Sequence, residues 1–111
     1  MTQITYDYFT KAAIRTGQIV RVEDFPGARK PAYKLWIDFG ELGIKTSSAR
    51  ITERYAKEAL LDSMVIAVTN FPPRQVADFL SEVLVLGAML GEDKVVLVRP
   101  DGDVSPGKRV L

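Results

Sequence analysis

The stretch that decides the fold runs from Asn70 to Gly87 and reads NFPPRQVADFLSEVLVLG. Its two adjacent prolines, Pro72 and Pro73, each lack a backbone N–H donor and hold φ near about −65°, so the chain must leave any sheet at this point. Residues 81–87 then resume an apolar pattern that is short enough for a buried strand. The stretch therefore predicts a rigid loop that is pinned at both ends, and it resembles a binding loop on a β-barrel more than a catalytic motif.

Upstream of this loop, residues 33–39 alternate more cleanly than any other part of the chain. The alternation predicts one face made of Tyr33, Leu35, Ile37 and Phe39 and an opposite face made of Lys34, Trp36 and Asp38. The first face is expected to line the core. Trp36 is expected to point outward between two charges, which fits either a binding surface or a tryptophan capped by a neighbouring loop.

The other segments also indicate mainly strands. We predict strands over residues 18–23, 43–49, 64–69, 82–88 and 94–99, a short helix over residues 6–12, and a turn at residues 91–93. A second helix over residues 53–61 is expected to have Thr52 as its N-cap and to turn Ala56, Ala59 and Leu60 inward. Gly17, at the start of the first strand, is expected to let a small barrel bend.

This order predicts an all-β fold with short helices, a five-stranded OB-fold barrel with additions at both ends. Residues 100–111 are rich in Pro, Gly and Asp and are expected to form a loop or a sheet edge. With 111 residues, the chain suits a single domain over residues 1–111.

Composition excludes much chemistry. The sequence has no cysteine and no histidine, which removes disulfides, thiolate nucleophiles, imidazole bases and the usual zinc ligands. No Ser-x-x-Lys motif, paired carboxylates or Walker lysine stands out, so we expect a protein that is not an enzyme and needs no metal or cofactor. The N-terminus lacks a signal pattern, and the longest apolar run, residues 83–90, is too short to span a bilayer. These features predict a soluble cytoplasmic protein without membrane insertion.

Charge is unevenly distributed although the net charge is only +1. Residues 15–54 hold eight Lys or Arg against five Asp or Glu, whereas residues 62–93 hold one against five. The first segment therefore predicts a modest patch for phosphates, or ordinary solvated strand faces.

Several motifs fall in the order found in the tRNA-binding domain superfamily. Ile14-Arg15-Thr16-Gly17, Phe25-Pro26-Gly27-Ala28, Ile44-Lys45-Thr46-Ser47-Ser48-Ala49 and Asn70-Phe71-Pro72-Pro73-Arg74 with Ser81-Glu82 carry the resemblance. Within that superfamily the chain is most similar to the stand-alone CsaA-type export chaperones. The resemblance implies a homodimer that binds unfolded or export-bound polypeptides and contacts the export machinery. It implies structure-selective tRNA binding as the alternative.

The resemblance also implies which residues meet the ligand. The candidates for peptide or tRNA binding are Arg15, Lys34, Trp36, Lys45, Ser47, Ser48, Arg50, Asn70, Phe71, Arg74, Ser81 and Glu82. For any one cation, surface solubility is the alternative, and for Asn70 and Ser81 it is turn chemistry. Glu82 is expected to orient Arg74 or Lys45 through an ion pair.

The chain departs from the superfamily pattern after Arg74, where Gln75 and Asp78 replace the usual second basic residue and glycine. Both changes weaken attraction to phosphates. Val83 and Leu84 stand where Gly-Met is usual in the synthetase-appended members, and this difference favours the chaperone branch.

Overall fold

The structure is a computed structural model that describes residues 1–92 and 94–111. The strands are β1 Ile14–Asp24, β2 Tyr33–Asp38, β3 Ile44–Ala49, β4 Met64–Val68, β5 Arg74–Val76, β6 Phe79–Ser81, β7 Leu84–Val85, β8 Gly87–Met89 and β9 Val95–Leu97. The helices are α1 Tyr6–Thr10 and α2 Lys57–Leu60, with a 3-10 turn at Gly40–Leu42. A nearly closed five-stranded barrel has the order β3-β2-β1-β4-β7, and β5–β6 and β8–β9 are separate hairpins. The predicted OB-type barrel is confirmed.

Strand β2 shows the predicted alternation. Its inward residues Tyr33, Leu35 and Ile37, and Phe39 just beyond its end, are buried, whereas the outward ones are half-buried. Ile19 of β1 and Val65 of β4 are also fully buried and complete the centre of the core. The burial of apolar surface from these three strands drives the barrel to close.

Strand β1 is the longest element and joins the two halves of the barrel. It pairs with β2 through residues 18–24 and with β4 through residues 14–18, with a register shift between Ile19 and Arg21. The prediction began this strand at residue 18, four residues too late. Gly17 lies where a Cβ atom would come within 2.6 Å of Ile37 Cγ2 and of Phe39 Cε1. It therefore lets core side chains pack against the β1 backbone.

Backbone and side-chain hydrogen bonds together complete the ring where strand β3 meets the segment after β6. The backbone N–H groups of Glu82 and Val83 donate to Thr46 O at 2.8 and 3.2 Å. In return Glu82 Oε1 accepts from the N–H and the hydroxyl of Thr46 at 3.1 and 2.9 Å. These bonds give the backbone N–H and C=O groups of Thr46, at the edge of β3, the partners that a neighbouring strand would provide.

The predicted strand over residues 82–88 is divided into β7 and β8. β7 pairs with β4, and β8 pairs with β9, so the chain changes partner at Leu86. A Cβ atom on Gly87 would lie 2.3 Å from Val95 Cγ1 and 3.2 Å from Val96 O, so any other residue at this corner would force Val95 to move. Of the predicted turn at residues 91–93, Asp93 lies outside the described residues.

The second helix is shorter than predicted. Residues 52–54 form a turn and α2 begins only at Lys57, with Ala56 as an N-cap that makes no side-chain hydrogen bond, so Thr52 as N-cap was wrong. Leu60 is fully buried, but Ala56 and Ala59 are exposed. A helix of one turn has room for one inward position, which explains why the two alanines were predicted wrongly.

An ion pair holds α2 to the end of β1. Lys57 Nζ donates to Asp24 Oδ2 at 2.9 Å, and this bond raises the pKa of Lys57 above its usual 10.5. Its contribution to stability is therefore complete below pH 10.5 and is lost as the pH rises through the higher value of the folded protein. Both side chains are largely exposed, so that contribution is small.

The C-terminal tail runs along β1 as the predicted edge. The N–H groups of Gly107 and Val110 donate to the carbonyls of Thr16 and Ile14 at 2.7 and 2.8 Å, and Thr16 N donates to Lys108 O at 2.9 Å. Among the described residues, no helix is long and apolar enough to cross a membrane.

Candidate ligand-binding groove

An open groove of about 820 Å³ lies between the β1–β2 loop and the β5–β6 hairpin. Its walls are formed within residues 27–32 and by residues 74–77, and Ser48 and Arg50 at the end of β3 complete the lining. In OB folds the face of strands 2 and 3 and the adjoining loops hold polymeric ligands. The groove lies at the corresponding place in this barrel.

The lining of the groove is cationic. It includes Arg29, Lys30, Arg50 and Arg74, and no carboxylate lies among the described residues that form it. Arg29, Lys30 and Arg74 are exposed, and within residues 1–92 and 94–111 their side chains make no hydrogen bond or ion pair. Guanidinium and ammonium groups placed in this way can pair with carboxylates or phosphates.

An aromatic cluster fixes both walls to the sheet. The ring of Phe79 on β6 packs edge-on against Trp36 and against Phe25, with both centroid distances at 5.6 Å. Lys34 Nζ lies 5.0 Å from the Phe25 ring, and the guanidinium of Arg21 lies 4.4 Å from the Trp36 ring. Trp36 is therefore capped by the hairpin, as the second of its two interpretations predicted, and it supports the groove together with Lys34.

Three of the predicted site residues fasten the hairpin to the barrel. Ser48 N donates to Ser81 Oγ at 3.1 Å, and Glu82 accepts from Thr46 as described above. Among the described residues, Glu82 makes no ion pair with Arg74 or Lys45. Its carboxylate closes the barrel instead of orienting a cation.

Two other predicted residues, Lys45 and Ser47, lie on the inward face of β3. Ser47 is only 1% exposed, and Lys45, two positions before it, pairs with Ile37 at the end of the strand. Ser47 Oγ donates to Ser48 O at 3.0 Å. Neither residue is among those that line the groove.

Arg15 lies at a different place, against the C-terminal tail. Its Nη1 donates to Gly107 O at 3.0 Å, and its buried Nε has no hydrogen-bond partner among the residues that the structure describes. It lines a separate cavity of about 450 Å³ with residues 39–42 and 105–109. The groove therefore includes Ser48, Arg50 and Arg74 from the sequence predictions, and Arg15 is outside it.

Asn70 holds the N-terminal segment to the loop. Its Oδ1 accepts from Ala13 N at 2.8 Å, and its Nδ2 donates to Lys11 O at 2.7 Å. The amide thus bonds a segment nearly sixty residues away and not its own turn. The next residue, Phe71, is 53% exposed and leads directly into the prolines and Arg74.

We predict that Asn70→Ala lowers the free energy of unfolding by about 1–2 kcal/mol, because two backbone groups lose their partner. Urea unfolding checks the value. Ligand affinity is expected to be unchanged under conditions where the variant is folded. A variant of unaltered stability that binds ligand more weakly would show that the amide contacts ligand instead.

Arg29 and Lys30 were missed in the sequence analysis. The available signal was two adjacent basic residues between Gly27 and Pro31, in a stretch that no predicted strand included. Loops of this kind often carry binding residues on a rigid scaffold.

Among the described residues, no three acidic side chains are grouped so that they could hold a metal ion.

The chain matches a known protein family and is similar to several curated proteins. Residues 14–109 match the family described as "Putative tRNA binding domain". A methionine–tRNA ligase from Leptospira biflexa is 39% identical over 105 residues, and one from Pyrococcus furiosus is 36% identical over 110 residues. These matches cover 94% and 99% of this chain, but only 15% of each ligase.

The solved structures that are similar over almost the whole chain include two CsaA chaperones. The CsaA chaperone from Bacillus anthracis is 44% identical with a TM-score of 0.96, and covers 99% of this chain and 100% of that one. The CsaA chaperone protein from Picrophilus torridus is 54% identical with a TM-score of 0.92, and covers 98% of this chain and 100% of that one.

Proposed function

This chain belongs to the tRNA-binding domain family as a CsaA-type member, and on that premise we propose that it is a homodimeric chaperone that binds unfolded, export-bound polypeptides. Its similarity to two CsaA chaperones over the full length of both is the observation that carries the proposal. Residues 1–111 act in it as one binding domain, and the export machinery is the partner that receives the client.

Exposed apolar side chains beside the groove support polypeptide binding. Phe71 is 53% exposed just before the prolines, and Leu80 is 45% exposed opposite Gln75 on the outer face of the hairpin. Unfolded chains expose apolar residues that would be buried against such positions. Arg74 of the groove lies three residues after Phe71, and Gln75, which pairs with Leu80, also lines the groove. The groove cations can therefore hold the polar parts of the same segment.

The N-terminal helix offers a surface for the second copy. α1 has no buried residue, and Tyr6 and Tyr8 are 71% and 64% exposed. A helix of five residues is not stable alone in water, so an ordered α1 needs packing. Arg109 Nη2 donates to Thr10 O at 2.9 Å and brings the tail beside it, where Leu111 is 86% exposed. We assign the dimer interface to this surface.

Light scattering tests the dimer. Wild-type protein is expected at twice the mass of one chain, and Tyr6→Glu with Tyr8→Glu is expected at the mass of one chain. Leu61→Glu, which adds charge at another exposed position, should leave the dimer intact. A single-chain mass for the wild type contradicts the proposal.

Aggregation assays test the chaperone activity. An aggregation-prone protein diluted from guanidinium is expected to scatter less light when this chain is present, and Phe71→Ser should weaken that protection. If the chain protects no better than an unrelated protein at equal concentration, the proposed chaperone function is wrong.

Structure-selective tRNA binding is the second candidate, and the exposed groove cations Arg29, Lys30 and Arg74 favour it. If these cations neutralise up to three phosphates, log affinity should fall with log salt concentration with a slope between about −2 and −3. A filter-binding titration of tRNA at several salt concentrations measures the slope. A flat dependence, or equal binding by any polyanion, excludes specific tRNA recognition.

A further inference from the structure

We propose that the groove selects acidic segments of its polypeptide clients, binding Asp and Glu side chains through Arg29, Lys30 and Arg74. The inference rests on the proposed chaperone function and names the class of client that this site takes.

The free groove carries uncompensated positive charge. Arg29, Lys30 and Arg74 come from opposite walls, and within the described residues no carboxylate of the lining neutralises them. Like charges confined to one groove repel each other, and an anionic ligand relieves that repulsion. A neutral or basic segment would leave the repulsion in place or increase it.

The groove lacks the aromatic surface that a nucleic acid would need. Proteins that hold single strands combine cations with exposed aromatic rings on which bases stack. Here none of the described residues that line the groove is aromatic. The rings that support the groove pack against each other instead, because Phe79 covers Trp36 and Phe25, and Phe25 is only 4% exposed. The exposed ring of Phe71 is not among the described residues that line the groove. The groove thus offers charge without a stacking platform, which suits carboxylates on a flexible chain.

The groove is narrow at one end and opens toward an apolar side chain at the other. A Cβ atom on Gly27 would lie 3.9 Å from both Ala77 Cβ and Asp78 Oδ1, so the two walls approach each other at the tip of the hairpin. The carboxylate of Asp78 marks the end of the cationic lining there. At the other end of β5, Arg74 adjoins the prolines and the exposed Phe71. A client segment with acidic residues followed by an apolar residue would place its carboxylates on the cationic lining and its apolar side chain on Phe71.

In an extended segment, alternate side chains face the same side, so carboxylates at alternate positions can enter the groove together. The probe is therefore a short labelled peptide with glutamate at alternate positions and serine or leucine between them. Its matched forms replace each glutamate by glutamine or by lysine. Fluorescence anisotropy measures affinity for the wild-type protein at low and at physiological salt.

We expect the glutamate peptide to bind about tenfold more tightly than the glutamine form at low salt, and the lysine form to bind most weakly. The double variant Arg29→Gln with Arg74→Gln should bring the glutamate peptide to the affinity of the glutamine form. Arg54→Gln with Arg99→Gln removes two exposed arginines outside the groove, beside Tyr55, and should change nothing.

The outcomes separate the inference from the proposed function. Equal binding of the three peptides overturns acidic selection and leaves the chaperone proposal intact, whereas no binding of any peptide contradicts the chaperone proposal itself. If tRNA binding depends on Arg29 and Arg74 and the glutamate peptide does not bind, the groove holds nucleic acid and the inference is wrong. Salt dependence of the wild type gives a test without variants, because only the glutamate peptide should weaken steeply with salt.

Discussion

Replacing Leu60 by alanine is expected to lower the free energy of unfolding by about 2–5 kcal/mol, because it leaves a cavity in the core. Leu60 is fully buried and is the only buried residue of α2. It belongs to the same buried cluster as Ile19 and Val65. In a domain of this size, the loss is a large part of the total stability.

The neighbouring Leu61 provides a matched control, since it is 47% exposed and differs from Leu60 mainly in burial. Leu61→Ala is expected to change the free energy of unfolding by about 0.5 kcal/mol or less. Urea unfolding followed by the fluorescence of Trp36, the single tryptophan, measures both variants. If both substitutions lower the free energy of unfolding equally, the side chain of Leu60 does not pack in the core of the barrel.

The sequence was sufficient to predict those strands of the barrel that have one apolar face and one polar face. The alternation of residues 33–39 identified the inward face of β2 because burial and sequence period coincide there. It could not identify the β5–β6 hairpin, whose two strands have three residues each and depend on packing of Phe79 against Trp36. Short strands of this kind are decided by tertiary contacts more than by local pattern.

Strand β3 shows why the candidate site was only partly predictable. Its sequence Lys45-Thr46-Ser47-Ser48 is polar at every position, so no apolar period marks which residues point inward. The resemblance therefore supplied Lys45, Ser47 and Ser48 together, although alternate residues of a strand face opposite sides. Burial of Ser47 separates them and leaves Ser48 in the groove.

Replacing Gly17 by valine is expected to lower the free energy of unfolding by about 3 kcal/mol or more, at the upper end of the usual cost of overpacking. The added Cβ would lie 2.6 Å from atoms of Ile37 and Phe39. Both side chains are fully buried, so they cannot move into solvent to make room. Because Gly17 follows Thr16, whose backbone bonds the tail, we also expect faster hydrogen exchange at Gly107 N–H.

Gly102→Val is the control for this substitution, because a Cβ atom at Gly102 meets nothing within 4 Å. It should shift the unfolding midpoint little, by about 0.5 kcal/mol or less in free energy. A double variant locates the clash: Phe39→Leu removes ring atoms, so combining it with Gly17→Val should cost less than the sum of the two single losses. Strict additivity, or a Gly17→Val protein as stable as wild type, would show that the core relaxes around β1 and that glycine is not required there.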